Sequence, residues 1–262
     1  MRLALVSLKG SPGVSVTAYS TARLLASGGR DAVLVEADPS GGDLAARLDL
    51  PLGDGILSLA AEARRGASAE MVGSHLVAFA EHLAVLPSPA SGAQASAALE
   101  VVAAPLATAL AGAATDVVID LGRLGGVESS AVLMGATDVV GVVVQSSLTQ
   151  AAFVSAAAEW LGDLTVPVAL VMVDAPAVLA GQPGAEEIAA LGAGWAAAVH
   201  TVAWDPRAVR LLYQPGGTGR LSRSPLWRSV GALTDSLRAL CAPPSGPSET
   251  TVQPSALAEA GR

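Results

Sequence analysis

The chain has 262 residues, of which 52% are hydrophobic, 15% charged and 3% aromatic, and its formal net charge is −8. This length and apolar content suffice for one large α/β domain or two small ones, with a core built from alanine, valine and leucine. The acidic balance disfavours broad nucleic-acid binding, and the single cysteine, Cys241, excludes a disulfide framework within the chain and suits a reducing cytoplasm.

Apolar runs that alternate with helical runs predict the order of the elements. The predicted strands are 2–8, 32–37, 82–89, 115–122, 138–145, 167–174 and 197–204. The predicted helices are 14–27, a run within 38–50, 55–65, 69–80, 94–112, 128–135, 148–161, 184–192, 206–214 and 225–241. Because continuous apolar strands alternating with helices are typical of a parallel sheet covered on both faces, the sequence predicts a doubly wound α/β fold.

Residues 1–242 are predicted to form this domain, and residues 243–262 are predicted to be a disordered tail. The tail is rich in proline, serine, glycine and threonine and has no apolar period. The alanine-rich run 101–122 is interrupted by Pro105, Asp116 and Asp120, so no membrane-spanning helix is predicted. The tail is neither basic nor amphipathic, no signal peptide is expected, and the expected location is the cytoplasm.

Three polar segments follow predicted strands, at the edge of the sheet where a doubly wound fold binds its ligand. They are the loop K-G-S-P-G-V-S-V at 9–16, the turn at Asp38 and the strand end at Asp120. Glycines let consecutive N–H groups turn toward an anion, and a helix beginning near Val14 adds its positive N-terminal end. A hydroxyl at Ser15 can reach Mg²⁺.

The loop resembles the deviant Walker A motif of the ParA/MinD family of P-loop ATPases, K-G-G-x-G-K-T-[ST]. Lys9 matches the family's signature lysine, Ser15 matches the Mg²⁺-binding hydroxyl, and Val14 stands where the phosphate-binding lysine should be. The resemblance implies a nucleotide-binding loop made of Lys9, Gly10, Ser11, Gly13, Val14, Ser15 and Val16. The resemblance implies ATP or ADP with Mg²⁺ as the cofactor. Valine supplies no charge to the β- and γ-phosphates, so the loop is degenerate at position 14.

The acidic positions fit the same resemblance, which covers residues 1–241. Asp38, in V-L-V-E-A-D-P-S-G, matches the family's aspartate that orients the attacking water. Asp120, in D-V-V-I-D-L-G, matches the Walker B acid that holds Mg²⁺ through water, together with Ser15. Asp205, in W-D-P-R, resembles the late aspartate that lies beside the base. The resemblance therefore implies Asp38 and Lys9 as the catalytic pair.

Lys9 is the only lysine in the chain, although lysine and arginine together number 15. A compact ammonium in a crowded phosphate loop is a physical reason for one lysine in a chain that otherwise uses arginine. In the family this lysine reaches across a dimer to the partner's nucleotide. The resemblance therefore implies a homodimer.

Simpler explanations of the same residues stay open. A strand–glycine loop–helix connection can be a tight turn, Asp38 can start that turn, and Asp120 can cap the next loop. His75, His82 and His200 have no metal-ligand spacing, so no metal cage is predicted. The serine pairs 129–130 and 146–147 have no neighbouring histidine and acid, so no hydrolase chemistry is predicted.

Loss of the second lysine resembles the TadZ/CpaE-type branch of the family, whose members localise or assemble pilus and secretion machinery. The first hypothesis is a dimerising scaffold with weak or absent ATP hydrolysis, recruited by an unidentified protein partner to a polar or membrane-associated complex. The alternative is an active ATPase of the chromosome- or plasmid-partitioning type. Its arginines between 207 and 238 would contact nonspecific DNA or an acidic surface. A solvated helix face is the simpler explanation of those arginines. A nucleotide-independent module ranks third, and a dinucleotide oxidoreductase ranks last because G-S-P-G lacks the G-x-G-x-x-G spacing.

Overall fold

The computed structural model describes residues 1–51, 53–63, 69–124, 128–176, 181–214 and 218–241, so the predicted tail at 243–262 lies outside the described residues. The strands are β1 (Arg2–Ser7), β2 (Ala32–Glu36), β3 (Val77–Ala80), β4 (Leu83–Leu86), β5 (Asp116–Arg123), β6 (Val139–Gln145), β7 (Val168–Asp174) and β8 (Ala198–Ala203). The helices are α1 (Val14–Ser27), α2 (Leu44–Arg47), α3 (Ile56–Ala63), α4 (Ala69–Ser74), α5 (Gly92–Ala111), α6 (Glu128–Gly135), α7 (Leu148–Gly162), α8 (Ala185–Leu191), α9 (Pro206–Leu212), α10 (Thr218–Leu221) and α11 (Pro225–Cys241).

The described strands form one eight-stranded sheet in the order β3-β4-β2-β5-β1-β6-β7-β8. All of its strand pairs are parallel except β3–β4, which is antiparallel. β5 lies between β1 and β2, and Asp120 pairs in register with Leu5 on one side and with Glu36 on the other. The carboxyl ends of these three strands therefore meet at one edge of the sheet, where the predicted site residues lie.

Helices cover both faces of the sheet, which confirms the predicted doubly wound α/β fold. Successive residues of β1 point to opposite faces, since Leu3 and Leu5 belong to one buried cluster and Ala4 and Val6 to the other. On one face α1 and α11 pack against each other, and on the other face α5 packs between α3 and α6. Burial on both faces explains why the central strands are continuous apolar runs in the sequence.

The seven predicted strands are all present, although the strand predicted over 82–89 ends at Leu86. The predicted helix over 69–80 is wrong in its second half, because α4 ends at Ser74 and residues 77–80 form β3. Val77 and Phe79 pack against the core cluster of the α1 face, while the intervening alanines are exposed. This alternation has the period of a strand, and pairing with β4 favours the extended conformation over the alanine helix propensity.

Helix α5 is the described helix with enough length and hydropathy to cross a membrane by composition, with 20 residues and a mean hydropathy of 1.3. In this fold the helix packs in the core, where Leu99, Val102 and Leu106 are buried. Core packing therefore accounts for the apolar residues on its buried face.

Candidate functional site

The loop between β1 and α1 is shaped by two glycines with positive φ, Gly10 at 72° and Gly13 at 107°. Thr17 donates both its N–H and its hydroxyl to the Gly13 carbonyl, each at 2.9 Å. In the described part of the chain, the N–H groups of Val14, Ser15 and Val16 have no hydrogen-bond acceptor, and no side chain caps the helix. The N-terminus of a 14-residue helix is thus open toward an anion.

Three polar side chains that the sequence analysis did not single out support this loop. The amide nitrogen Nε2 of Gln150, in α7, donates to the Lys9 carbonyl at 2.6 Å, and that of Gln145, at the end of β6, donates to the Pro12 carbonyl at 3.4 Å. The Ser7 hydroxyl lies 3.4 Å from the Gly10 carbonyl and 3.3 Å from that of Gly122. The only sequence signal for these contacts was the polar end of the apolar strand β6.

Asp120 is buried directly beneath the loop, with 1% of its surface exposed. Its Oδ1 accepts a hydrogen bond from the Gly122 N–H at 2.9 Å, whereas Oδ2 has no hydrogen-bond partner among the described residues. Burial raises the pKa of Asp120 to about 6, although the Ser15 hydroxyl, which approaches the carboxyl without forming a full hydrogen bond, lowers it. A hydroxyl beside a buried carboxylate oxygen with no partner fits Mg²⁺, which prefers oxygen ligands.

Asp38 lies two residues beyond Glu36, the last residue of β2, and its Oδ1 accepts from the Ser40 N–H at 2.7 Å. Burial raises the pKa of Asp38, while the charge of Arg123 lowers it. Gly122 has a φ of 58°, and a Cβ atom at this position would overlap the Asp38 carboxylate. The glycine therefore permits the close approach of the two strand ends that carry Asp38 and Asp120.

Glu36 is buried and accepts three backbone hydrogen bonds. Its Oε1 accepts from the N–H groups of Asp43 at 2.8 Å and Leu44 at 3.0 Å, and its Oε2 accepts from that of Ser88 at 2.9 Å. Burial raises the pKa of Glu36 to about 7, against the effect of these hydrogen bonds. Because both oxygens are bonded to backbone groups, Glu36 fixes the segment that carries Asp38 and leaves ligand binding to its neighbours.

These parts line one polar cavity of about 690 Å³ at the carboxyl edge of the sheet. Of the predicted site residues, Gly10, Ser11, Gly13, Val14, Ser15, Val16 and Asp38 line it. The sequence analysis missed Arg47, Arg123 and Tyr213, which also line it. Lys9 is not among the lining residues, and its ammonium lies 5.3 Å from the ring centroid of Phe153 in α7.

An apolar cavity of about 190 Å³ adjoins the polar one, and Gly13 and Val16 line both. Trp204 and Asp205, which follow β8, contribute to its wall. Asp205 Oδ1 accepts from the Ala208 N–H at 3.0 Å and so caps α9. The structure thus places Asp205 beside a small apolar cavity, next to the loop, where the resemblance puts the base.

Histidine and serine form one constellation that the sequence analysis did not anticipate. His75 lies 2.8 Å from the Ser58 hydroxyl through Nδ1 and 2.8 Å from Glu62 through Nε2. Ser58 also donates to the Gly55 carbonyl at 3.1 Å, and none of the three side chains lines either cavity. These contacts connect α3 to the turn after α4. In the described part of the chain no three metal-ligating side chains come together.

A doubly wound sheet with a glycine loop and an open helix N-terminus at its carboxyl edge is an arrangement that P-loop folds share with dinucleotide-binding folds. No family model and no curated protein matches the sequence, but solved structures match the fold. A ParA family ATPase from Chlorobium tepidum TLS has a TM-score of 0.72 at 16% identity, over 89% of this chain and 97% of that one. The cell division ATPase MinD of Pyrococcus furiosus has a TM-score of 0.70 at 15% identity, over 91% and 99% of the two chains.

A third neighbour, the septum site-determining protein MinD of Pyrococcus horikoshii OT3 complexed with Mg-ADP, has a TM-score of 0.69 at 13% identity, over 92% of this chain and 98% of that one. The chain therefore has the ParA/MinD-like P-loop fold. At these identities the likeness is one of fold, and the activity has to be argued from the site.

Proposed function

We propose that this protein binds a nucleotide with Mg²⁺, hydrolyses it slowly or not at all, and acts as a dimerising positioning or assembly scaffold. The observation that carries the proposal is the combination of an open phosphate loop with Val14. The loop keeps Gly10 and Gly13, its free N–H groups and Ser15, whereas Val14 is 5% exposed and packs in the core cluster of the α1 face. The site keeps the groups that bind a nucleotide and lacks the cation that the resemblance assigns to its β- and γ-phosphates.

The two adjoining cavities support the nucleotide. The polar cavity contains the anion-binding helix terminus, Ser15 and Asp38, with Asp120 behind it, and the apolar cavity suits a planar base beside Trp204. The two cavities adjoin at Gly13 and Val16, which line both. One ligand with a polar and an apolar end can therefore occupy both. The Pyrococcus horikoshii neighbour was solved with Mg-ADP, which is a ligand of this shape.

The scaffold role rests on the resemblance to the TadZ/CpaE-type branch, with its link to pilus and secretion machinery. Lys9 supports dimerisation, because its ammonium lies outside the polar cavity, against exposed Phe153. In that position it is available to a second copy of the chain. The MinD neighbour from Aquifex aeolicus was solved in complex with MinC, so a protein with this fold binds a protein partner.

Titration with ATP by calorimetry, with and without Mg²⁺, tests the proposal when combined with a phosphate-release assay. We expect binding that requires Mg²⁺, with phosphate release near the buffer background. Brisk release would overturn the scaffold assignment, and absence of binding would overturn the nucleotide site. Light scattering of the wild type and of Lys9→Ala tests the dimer: ATP should increase the mass of the wild type only.

The alternative is a partitioning ATPase that binds nonspecific DNA. It is favoured by exposed arginines on α9 to α11 that form no ion pair within the described residues: Arg207, Arg210, Arg220, Arg223 and Arg228. Arg238 is not available in the same way, because it forms an ion pair with Asp116 at the edge of the sheet opposite the polar cavity. This alternative requires ATP-dependent DNA binding that weakens steeply with salt. Anisotropy of labelled DNA would exclude it if ATP leaves the affinity unchanged.

A further inference from the structure

Acidic side chains outnumber basic ones at the polar cavity, so beyond Mg²⁺ and the helix N-terminus a triphosphate depends on the few lining cations. Three carboxylates line the cavity, those of Glu36, Asp38 and Asp43, and Asp120 is buried behind it. The lining cations are two arginines, Arg47 and Arg123. Because phosphate oxygens are bound most strongly by charge-assisted hydrogen bonds, the affinity of the site depends on which guanidinium reaches them.

Arg47 is held in a defined position at the cavity wall. It is the last residue of α2, and its Nη2 lies 2.6 Å from Asp43 Oδ2, one helical turn earlier. Its guanidinium lies 5.0 Å from the ring centroid of Tyr213, which in turn stacks on Tyr19 with centroids 5.2 Å apart and an interplanar angle of 27°. An arginine supported by an aromatic face loses little conformational freedom when it binds a ligand.

Supporting the Arg47 guanidinium is the main role that the structure gives Tyr213. Its hydroxyl is buried and has no hydrogen-bond partner among the described residues, and its ring contributes to the cavity wall. Tyr213 and Tyr19 are the only two tyrosines in the chain. In a chain with so few aromatic residues, the stacked pair places a rigid surface directly under the Arg47 guanidinium.

Arg123 lacks such support. It is the last residue of β5 and is exposed, as Arg47 is, but it forms no ion pair or ring contact within the part of the chain that the structure describes. Its charge acts on Asp38, whose pKa it lowers. Of the two lining arginines, Arg47 is therefore the one whose guanidinium is held by a carboxylate and an aromatic ring.

We propose that Arg47 is a phosphate-binding residue that compensates for Val14, and that Asp43 competes with the phosphate for it. This inference rests on the proposed nucleotide site and names the cation within it. When the nucleotide binds, the guanidinium exchanges the Asp43 carboxylate for phosphate oxygens, and Tyr213 keeps the guanidinium plane in place. A bidentate arginine contact then replaces the point charge of a lysine.

Calorimetric titration with Mg²⁺–ATP tests this assignment in the full chain. Arg47→Gln should lower the affinity about tenfold or more, because a hydrogen bond to a charged group typically contributes that much. The affinity for adenosine, which has no phosphate, should stay unchanged. The matched control is Arg23→Gln, because Arg23 also lies over aromatic rings, those of Tyr19 and Phe79, and does not line the cavity.

Asp43→Asn should change the affinity for Mg²⁺–ATP in the opposite direction to Arg47→Gln. A gain in affinity cannot be explained by damage to the fold. The Asp43 side chain does not cap α2, so the substitution leaves the helix start intact. Asp43→Asn should raise the affinity for Mg²⁺–ATP severalfold when Arg47 is present and have little effect in the Arg47→Gln background. An equal gain in both backgrounds would show general charge repulsion and overturn the competition.

The remaining outcomes separate the two proposals. If the wild type binds no Mg²⁺–ATP, the nucleotide site itself is wrong and this inference falls with it. If the wild type binds and Arg47→Gln binds equally well, only the assignment of Arg47 is overturned. If Arg123→Gln loses the affinity instead, the phosphate cation is Arg123. Thermal unfolding of each variant confirms that the comparison is made between folded proteins.

Discussion

At the scale of single residues, Val14 decides between a disabled phosphate loop and a simple turn. Its side chain belongs to the core cluster and also borders the polar cavity, so a longer side chain can follow the core wall and place its end at the cavity. Val14→Lys should therefore raise the affinity for Mg²⁺–ATP by about tenfold, the typical effect of one hydrogen bond to a charged group.

Calorimetry of Val14→Lys beside Val14→Met checks this prediction, because methionine has a similar reach without the charge. The gain should be larger in the Arg47→Gln background, where Arg47 no longer supplies its charge to the phosphate. If Val14→Lys and Val14→Met bind equally, the cavity does not hold phosphate next to position 14.

The residues of the cavity show what the sequence could and could not predict. The predicted loop positions other than Lys9 are brought together with Asp38 around one cavity, because each follows a strand end and parallel strands end at one edge. Gln150 was not predictable as a support of the loop, since its bond to the Lys9 carbonyl joins residues 141 positions apart. Arg47 and Tyr213 were missed for the same reason: only the tertiary fold brings them together.

At the scale of the elements, Asp116 joins parts of the chain at the edge of the sheet opposite the cavity. This buried first residue of β5 lies 3.0 Å from the amino group of Met1, 2.6 Å from Arg30 Nε and 2.6 Å from Arg238 Nη2. Burial alone would raise its pKa, but the hydrogen bonds from Arg30 and the Met1 amino group outweigh it and lower the pKa to about 2. One carboxylate thus connects β1, β5, α11 and the turn after α1.

Asp116→Asn should lower the free energy of unfolding at pH 7 by about 2 kcal/mol, because three cationic groups lose their shared partner but two of them stay partly hydrated. Urea unfolding measures the change. Asp235→Asn, an exposed position on α11 without an ion pair in the described residues, is the control and should change stability little. Equal stability of the two variants would contradict the anchoring role.

The secondary-structure predictions are correct where burial alone decides the hydrophobic pattern of a segment. They are wrong where pairing with another strand decides its conformation. The central strands are apolar throughout because both their faces are covered, so their sequence is unambiguous. β3 is an edge strand of four residues, with two alanines among them, and its sequence is also compatible with a helix. Only its antiparallel pairing with β4, a contact outside the local sequence, selects the strand.

At the scale of the whole molecule, buried carboxylates make stability depend on pH in two opposite directions. The pKa of Asp116 is lowered to about 2, so its contribution is present above the usual range of Asp and is lost as the pH falls toward 2. The pKa of Glu36 is raised to about 7 and that of Asp120 to about 6. For these two, the folded state binds more protons than the unfolded state, so stability falls as the pH rises, from 3.8 to about 6 for Asp120 and from 4.5 to about 7 for Glu36.

Glu36→Gln should therefore flatten the upper part of this profile. A shift from the ordinary value of 4.5 to about 7 corresponds to a stability change on the order of 3 kcal/mol across that range. Urea unfolding at several pH values between 4.5 and 7.5 measures the slope for the wild type and the variant. An unchanged slope would show that Glu36 is ionised throughout and that its three backbone hydrogen bonds outweigh burial.

The proposed Mg²⁺ site predicts that Mg²⁺ opposes this loss of stability, because in that proposal the cation binds the ionised form of Asp120. Its protonated carboxyl does not attract a cation, so stabilisation by Mg²⁺–ADP should be small at pH 5 and grow as the pH rises past about 6, the pKa that burial gives Asp120. Thermal unfolding with and without Mg²⁺–ADP at each pH measures this gain. Ser15→Ala and Asp120→Asn should each reduce it, while Arg23→Gln should leave it unchanged. If stabilisation of the wild type by Mg²⁺–ADP is independent of pH, the cation does not bind at Asp120, and the proposed Mg²⁺ site at the loop is wrong.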